Sequence, residues 1–177
     1  MTFVTPLYAQ KNGALDLRAG AAALRPTTHQ DSGVVWKAWG TIAGGSTFQA
    51  TDDEIVRPFP RSGGEASLWV TRNWLALGVR AVGTISDEGP NTGDVSVLIG
   101  YHAALARRMD AVLGIGVGRS NAIDFLTPLP DETVLAASAQ LNVNYGLVGL
   151  AGAAYGGVGS GRRYGGVGVG FSLGWFR

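Results

Sequence analysis

Val95-Ser96-Val97-Leu98-Ile99-Gly100-Tyr101-His102-Ala103 alternates: Val95, Val97, Ile99, Tyr101 and Ala103 share one parity, and Ser96, Leu98, Gly100 and His102 share the other. A repeat of two belongs to a β-strand with two unlike faces, whereas a helix repeats every three to four residues. The pattern returns downstream, where Ala111, Leu113, Ile115 and Val117 oppose Gly114, Gly116, Gly118 and Ser120. It returns again near the end, where Val167, Val169, Phe171, Leu173 and Trp175 oppose Gly168, Gly170, Ser172 and Gly174. A water-soluble sheet turns its bulky face to a core and carries charged and polar groups on the other. In this chain the second face is glycine and serine. The inverted arrangement fits better, with bulky side chains turned out to lipid and small or polar ones turned into a narrow lumen. Since an open strand edge in hydrocarbon leaves backbone groups unpaired, the strands must close on themselves.

Composition agrees with that environment. Of 177 residues only 15% are charged, 46% are hydrophobic and 28 are glycine, with a net charge of +1. The near balance leaves no basic stripe, so a nucleic-acid partner is not expected. The absence of cysteine removes disulfides and thiolate metal sites, and two histidines, His29 and His102, make a histidine metal cluster an unfavourable reading. No cofactor and no metal are expected.

Eight candidate strands follow: Val34–Gly44, Glu65–Thr71, Leu75–Ile85, Asp94–Ala106, Ala111–Ser120, Thr133–Asn144, Leu147–Gly156 and Gly165–Phe176. Most approach the nine to eleven or so residues of a tilted membrane strand. Tight turns at Arg72-Asn73, Arg107–Asp110 and Tyr145-Gly146 alternate with longer stretches at Ser46–Gly64, Ser86–Gly93, Asn121–Glu132 and Gly157–Tyr164. Short turns at one end and long loops at the other suit an up-and-down meander with a periplasmic and an extracellular rim. The segment 65–85 also reads as one long strand with a bulge, in which case Ala14–Leu24 becomes the first strand. Otherwise Ala14–Leu24 is a ninth strand or a segment ahead of the barrel. Residues 1–12 are expected to be a signal-peptide remnant or a disordered N-terminus, and residues 13–177 the barrel domain.

Charge parity tests the inversion, because a lipid-facing Arg or Lys near the midplane costs about 2–4 kcal/mol. Lys37, Glu65, Arg80 and His102 all fall on the lumen parity, with Glu65 expected to pair with Lys37 or Arg80. Arg119 has the outer parity but lies at a strand end, where it can snorkel. Trp74, Tyr145 and Trp175 are expected in an aromatic belt at the short-turn rim, and Tyr155 and Tyr164 in a second belt at the other.

The last strand, Gly170-Phe171-Ser172-Leu173-Gly174-Trp175-Phe176, resembles the C-terminal targeting signal of bacterial outer-membrane barrels. It departs in Val169, where a polar residue is common, and in Arg177 after the aromatic. The units Leu68–Leu75 and Ala104–Met109 resemble the periplasmic hairpins of small OmpA/OmpX-type barrels. The resemblance covers residues 33–177. It implies the outer membrane of a Gram-negative bacterium, contact with outer-membrane lipid, and assembly by the barrel-insertion machinery. Gly170, Phe171, Leu173, Trp175 and Phe176 would be the assembly signal.

Other motifs fail on inspection. Gly114-Ile115-Gly116-Val117-Gly118-Arg119 lacks the sixth-place glycine of a dinucleotide loop, and no Gly-Lys-Ser/Thr ending occurs. Residues 133–161 carry no charge and meet the length of a membrane helix, yet Gln140, Asn142 and Asn144 repeat every second residue. His102 with Ser96, Ser67 and Glu65 could supply catalytic groups, but no local catalytic motif surrounds it, and an enzyme is not expected. The fold expected is therefore all-β: a closed antiparallel transmembrane barrel of eight strands, or nine, and a monomer. Its work would be structural or adhesive through the long loops, with Asp52, Asp53, Glu54, Arg57, Asp87, Glu88, Arg162 and Arg163 as contact chemistry. Eight strands leave a lumen that side chains can fill. The alternatives are a narrow passive pore and a soluble lipocalin-like barrel binding an apolar ligand.

Overall fold

The computed structural model describes residues 35–51, 61–85, 91–124 and 127–175. The 1–12 segment, Ala14–Leu24, Phe176 and the charged loop residues Asp52, Asp53, Glu54, Arg57, Asp87 and Glu88 lie outside the described residues. Eight strands run in chain order: β1 Trp36–Thr51, β2 Arg61–Arg72, β3 Leu75–Ile85, β4 Asn91–Ala106, β5 Met109–Asp124, β6 Thr127–Tyr145, β7 Val148–Val158 and β8 Arg162–Trp175. Each pairs antiparallel with its chain neighbours, and β1 pairs with β8 from Ala38↔Trp175 to Thr51↔Arg162, which closes the barrel. Every described strand thus has two partners, and no ladder is left open to hydrocarbon.

Turn chemistry separates β2 from β3. Asn73 opens the turn at 73–74 with φ 57°, and Gly146 opens the turn at 146–147 with φ 86°. A two-residue hairpin of this kind needs a residue that tolerates the left-handed region at its first central position, and glycine or asparagine does so at least cost. The bulged single strand over 65–85 is thereby replaced by two strands, in register from Ser62↔Ile85 to Arg72↔Leu75.

Side chains sort by parity along each strand. In β3, Ala76, Gly78, Arg80, Val82 and Thr84 are buried, while Leu77, Val79, Ala81 and Ile85 are exposed. Leu77, Val97 and Ile115 are 54%, 63% and 64% exposed, which places the bulky faces outside and contradicts the soluble, apolar-lumen alternative. The uncharged stretch 133–161 forms β6 and β7, not a helix.

Strand ends differ from the sequence reading at the long-loop rim. Ser46–Thr51 and Arg61–Gly64 pair within β1 and β2, and β5 and β6 stay paired out to Asp124↔Thr127 across a register shift between Ser120 and Ala122. At 16 and 19 residues, β5 and β6 exceed what a membrane crossing needs. Beyond the apolar zone both faces of a strand can meet water. Backbone pairing then continues without any hydrophobic alternation to betray it.

Candidate functional site

The interior is the chemically distinctive part of the molecule. At the short-turn end, β5 turns Asp110 inward, where Oδ1 accepts from Lys37 Nζ of β1 at 2.7 Å and faces His102 Nε2 of β4 at 2.8 Å. Asn144 Nδ2 of β6 donates to Oδ2 at 2.8 Å. The second ring nitrogen of His102, Nδ1, lies 2.8 Å from the Asn73 carbonyl in the β2–β3 turn. The groups facing the two His102 ring nitrogens, a carbonyl and a carboxylate, are both hydrogen-bond acceptors. One carboxylate thus ties three other strands, and His102 ties the adjoining turn, into a floor.

Above the floor lies an apolar layer. Trp39, Trp69, Ala76, Leu98, Val112 and Ala136 form one buried cluster drawn from β1 to β6. The Trp69 indole lies against Gly78 and reaches across to Gly114: a Cβ added at Gly78 would sit 2.5 Å from Trp69 Cε3, and one at Gly114 2.5 Å from Cη2. These inward glycines provide the width that a tryptophan needs in a lumen this narrow.

A second polar group follows along β1, β2 and β4, beyond Trp39, Trp69 and Leu98. Arg80, with no exposed surface, donates from Nη2 to Tyr164 Oη at 2.7 Å, Asp94 Oδ1 at 3.2 Å and Ser96 Oγ at 3.4 Å. Its Nη1 donates across the lumen to the Ala137 carbonyl at 2.6 Å and the Gly156 carbonyl at 3.2 Å. Ser96 Oγ also donates to Asp94. Glu65 accepts from Gln140 Nε2 at 2.5 Å and from Ser138 Oγ at 3.1 Å, while Gln140 also reaches Ser67 Oγ at 2.5 Å. Satisfying buried charges with several strong hydrogen bonds is the condition for tolerating them at all.

Lys37, Glu65, Arg80 and His102 therefore lie inside, but in two groups separated by tryptophan. The pairing differs from expectation: Lys37 takes Asp110, Arg80 takes Asp94, and Glu65 has no ion pair within 4 Å among the described residues. Asp94 and Asp110 were missed as lumen groups although parity marks them, Asp94 with Ser96 and Leu98, Asp110 with Val112 and Gly114. His102 and Ser96 do not converge, since Leu98 and Gly100 intervene on β4 and each is engaged elsewhere. No nucleophile–base pair is assembled from them.

The belts also need correction. Trp74 and Tyr145 are 63% and 62% exposed at the short-turn rim, where Trp36 and Tyr101 join them on the outer face. Tyr155 and Tyr164 belong to no outer belt: both point inward, buried, in a cluster with Val82. Each sits over an inward glycine, Tyr155 over Gly166 and Tyr164 over Gly157, and Tyr164 receives Arg80. Trp175 pairs through its backbone with Ala38. At the long-loop rim, Arg162 is not free contact chemistry, because Nε is 2.9 Å from Glu132 Oε1 and Nη2 donates to the Pro130 carbonyl. Glu132 also accepts from Gly161 N at 2.9 Å, which fastens the β7–β8 connection onto β6. In the final strand Phe171 and Leu173 face outward and Gly170 pairs with both Ala43 and Ala151.

No protein-family model matches the chain, and no curated protein matches it by sequence. Solved structures do. Neisserial surface protein A superposes with a TM-score of 0.60 at 10% identity, covering 80% of this chain and 98% of that one. Ail, the attachment invasion locus protein of Yersinia pestis, gives 0.55 at 14% identity over 78% and 98%. The N-terminal β-barrel domain of Pseudomonas aeruginosa OprF gives 0.53 at 13% identity over 78% and 97%. The chain shares the fold of these small eight-stranded outer-membrane barrels.

Proposed function

We propose that the chain is a non-enzymatic integral outer-membrane barrel, monomeric and surrounded by outer-membrane lipid, with a side-chain-filled lumen and contacts made by the long-loop rim. The observation that carries this reading is the inverted sorting: Glu65, Arg80 and His102 are buried inside while Leu77, Val97 and Ile115 line the outside. In water that exterior would be an apolar patch far larger than soluble monomers show; in a bilayer it is the solvated surface. The likeness to Ail, Neisserial surface protein A and OprF supports the location, and the attachment role in the name of Ail supports an adhesive task for the loops. The C-terminal segment with Gly170, Phe171, Leu173, Trp175 and Phe176 is the one offered to the barrel-assembly machinery.

Extraction should require detergent, and the folded protein should migrate faster in gel electrophoresis before boiling than after. Solubility in plain buffer with identical migration contradicts the reading. The tryptophan layer and the two hydrogen-bonded polar groups support a closed lumen. Planar-bilayer recordings should give no sustained discrete current steps; such steps would favour the narrow pore.

A further inference from the structure

We infer that the short-turn rim is a binding surface for anionic phospholipid headgroups, formed by Arg72, Arg107 and Arg108 with aromatic rings beside them. The inference rests on the membrane reading above. Arg72 shares the outward parity of Leu68 and Val70, and its guanidinium carbon lies 5.5 Å from the centre of the Trp36 ring. Arg108 lies 5.9 Å from the centre of the Tyr145 ring. Trp74 in the β2–β3 turn and Tyr101 on the neighbouring β4 stack at 6.4 Å. A guanidinium held over an aromatic face keeps its edge N–H groups available, and their planar fork suits a phosphate.

Charge at this rim is one-sided. Among the described residues its sole carboxylate is Asp110, which is 3% exposed, faces the lumen and is occupied by Lys37, His102 and Asn144. The opposite rim differs, since Arg119 meets Asp131 at 3.3 Å and Arg162 meets Glu132. Arginines at the short-turn end thus present uncompensated positive charge at the depth where exposed aromatics place the membrane interface. A zwitterionic lipid cancels its phosphate with its own ammonium, whereas phosphatidylglycerol does not. Each basic residue near an anionic surface contributes about 1 kcal/mol, roughly fivefold in affinity at low salt.

The test uses the barrel folded into phosphatidylcholine vesicles containing brominated phosphatidylcholine or brominated phosphatidylglycerol, with tryptophan emission as the readout. Trp36 and Trp74 face the lipid, whereas Trp39 and Trp69 are enclosed in the lumen. Brominated phosphatidylglycerol should quench beyond its mole fraction, with a relative binding constant at least about fivefold above that of phosphatidylcholine. The preference should fall to near one in 0.5 M salt and in the R72Q/R107Q/R108Q variant, with the single variant Arg72→Gln giving a partial loss should the triple one fold poorly. Equal quenching by the two lipids, or a preference that survives removal of the arginines, overturns the inference and leaves the membrane reading standing. Absence of quenching by either lipid overturns both.

Discussion

The two faces of β3 share one backbone and two hydrogen-bonded neighbours, yet they obey opposite rules. On one face Arg80 has no exposed surface and Thr84 is buried; on the other, Leu77 and Ile85 are 54% and 68% exposed. Strand pairing satisfies the backbone equally for both, so the difference lies wholly in what each face meets. Inside, charged groups persist because side chains and carbonyls of other strands hydrogen-bond them. Outside, only the absence of charge matters. Specific partners stabilise one face, and a general solvent stabilises the other.

That contrast predicts unequal responses to substitution. The largest effect belongs to the lumen: Arg80→Ala strands Asp94 and should cost about 3–5 kcal/mol in urea titrations of the barrel folded in vesicles, whereas the pair Arg80→Leu with Asp94→Leu should recover most of it. Failure of the pair to recover would mean that the hydrogen bonds to Tyr164 and the Ala137 carbonyl, not the ion pair, dominate. Next is Val97→Arg on the outer waist, expected to cost about 2–4 kcal/mol in the same titration. A neutral outcome would dissolve the distinction between the faces. Gly78→Ala should cost about 1–3 kcal/mol, because the new methyl meets the Trp69 ring, and Trp69→Leu should remove the penalty of the added methyl. Smallest is Arg119→Ala, whose partner Asp131 is also solvent-exposed; a change of about 1 kcal/mol or less is expected.

The same contrast explains what was legible in sequence. Parity along β1 to β5 and along β8 is visible because their two faces meet different media, and it placed Lys37, Glu65, Arg80 and His102 inside. Partners were not legible. Strand tilt brings Lys37 of β1 to Asp110 of β5, and Glu65 of β2 to Ser138 and Gln140 of β6, and no local pattern encodes such cross-lumen neighbours. Tyr164 was readable, since it shares the parity of Gly166 and Gly168 opposite Val167, but its place near a loop suggested a belt. Tyr155 was harder, because β7 carries small residues on both faces and marks neither strongly. The paired ends of β5 and β6 gave no signal, as strands standing in water need no apolar stripe.

The most direct test exploits the absence of cysteine from the chain. Nitroxide labels attached after Ser96→Cys and, separately, Val97→Cys report on neighbouring positions of β4 in vesicle-reconstituted protein. The label at position 97 should relax strongly with oxygen and weakly with a water-soluble nickel complex, while the label at 96 should be shielded from both. Collision of the label at 97 with the nickel complex at the rate of a water-exposed site, or oxygen exposure at 96 instead of 97, would contradict the inverted barrel.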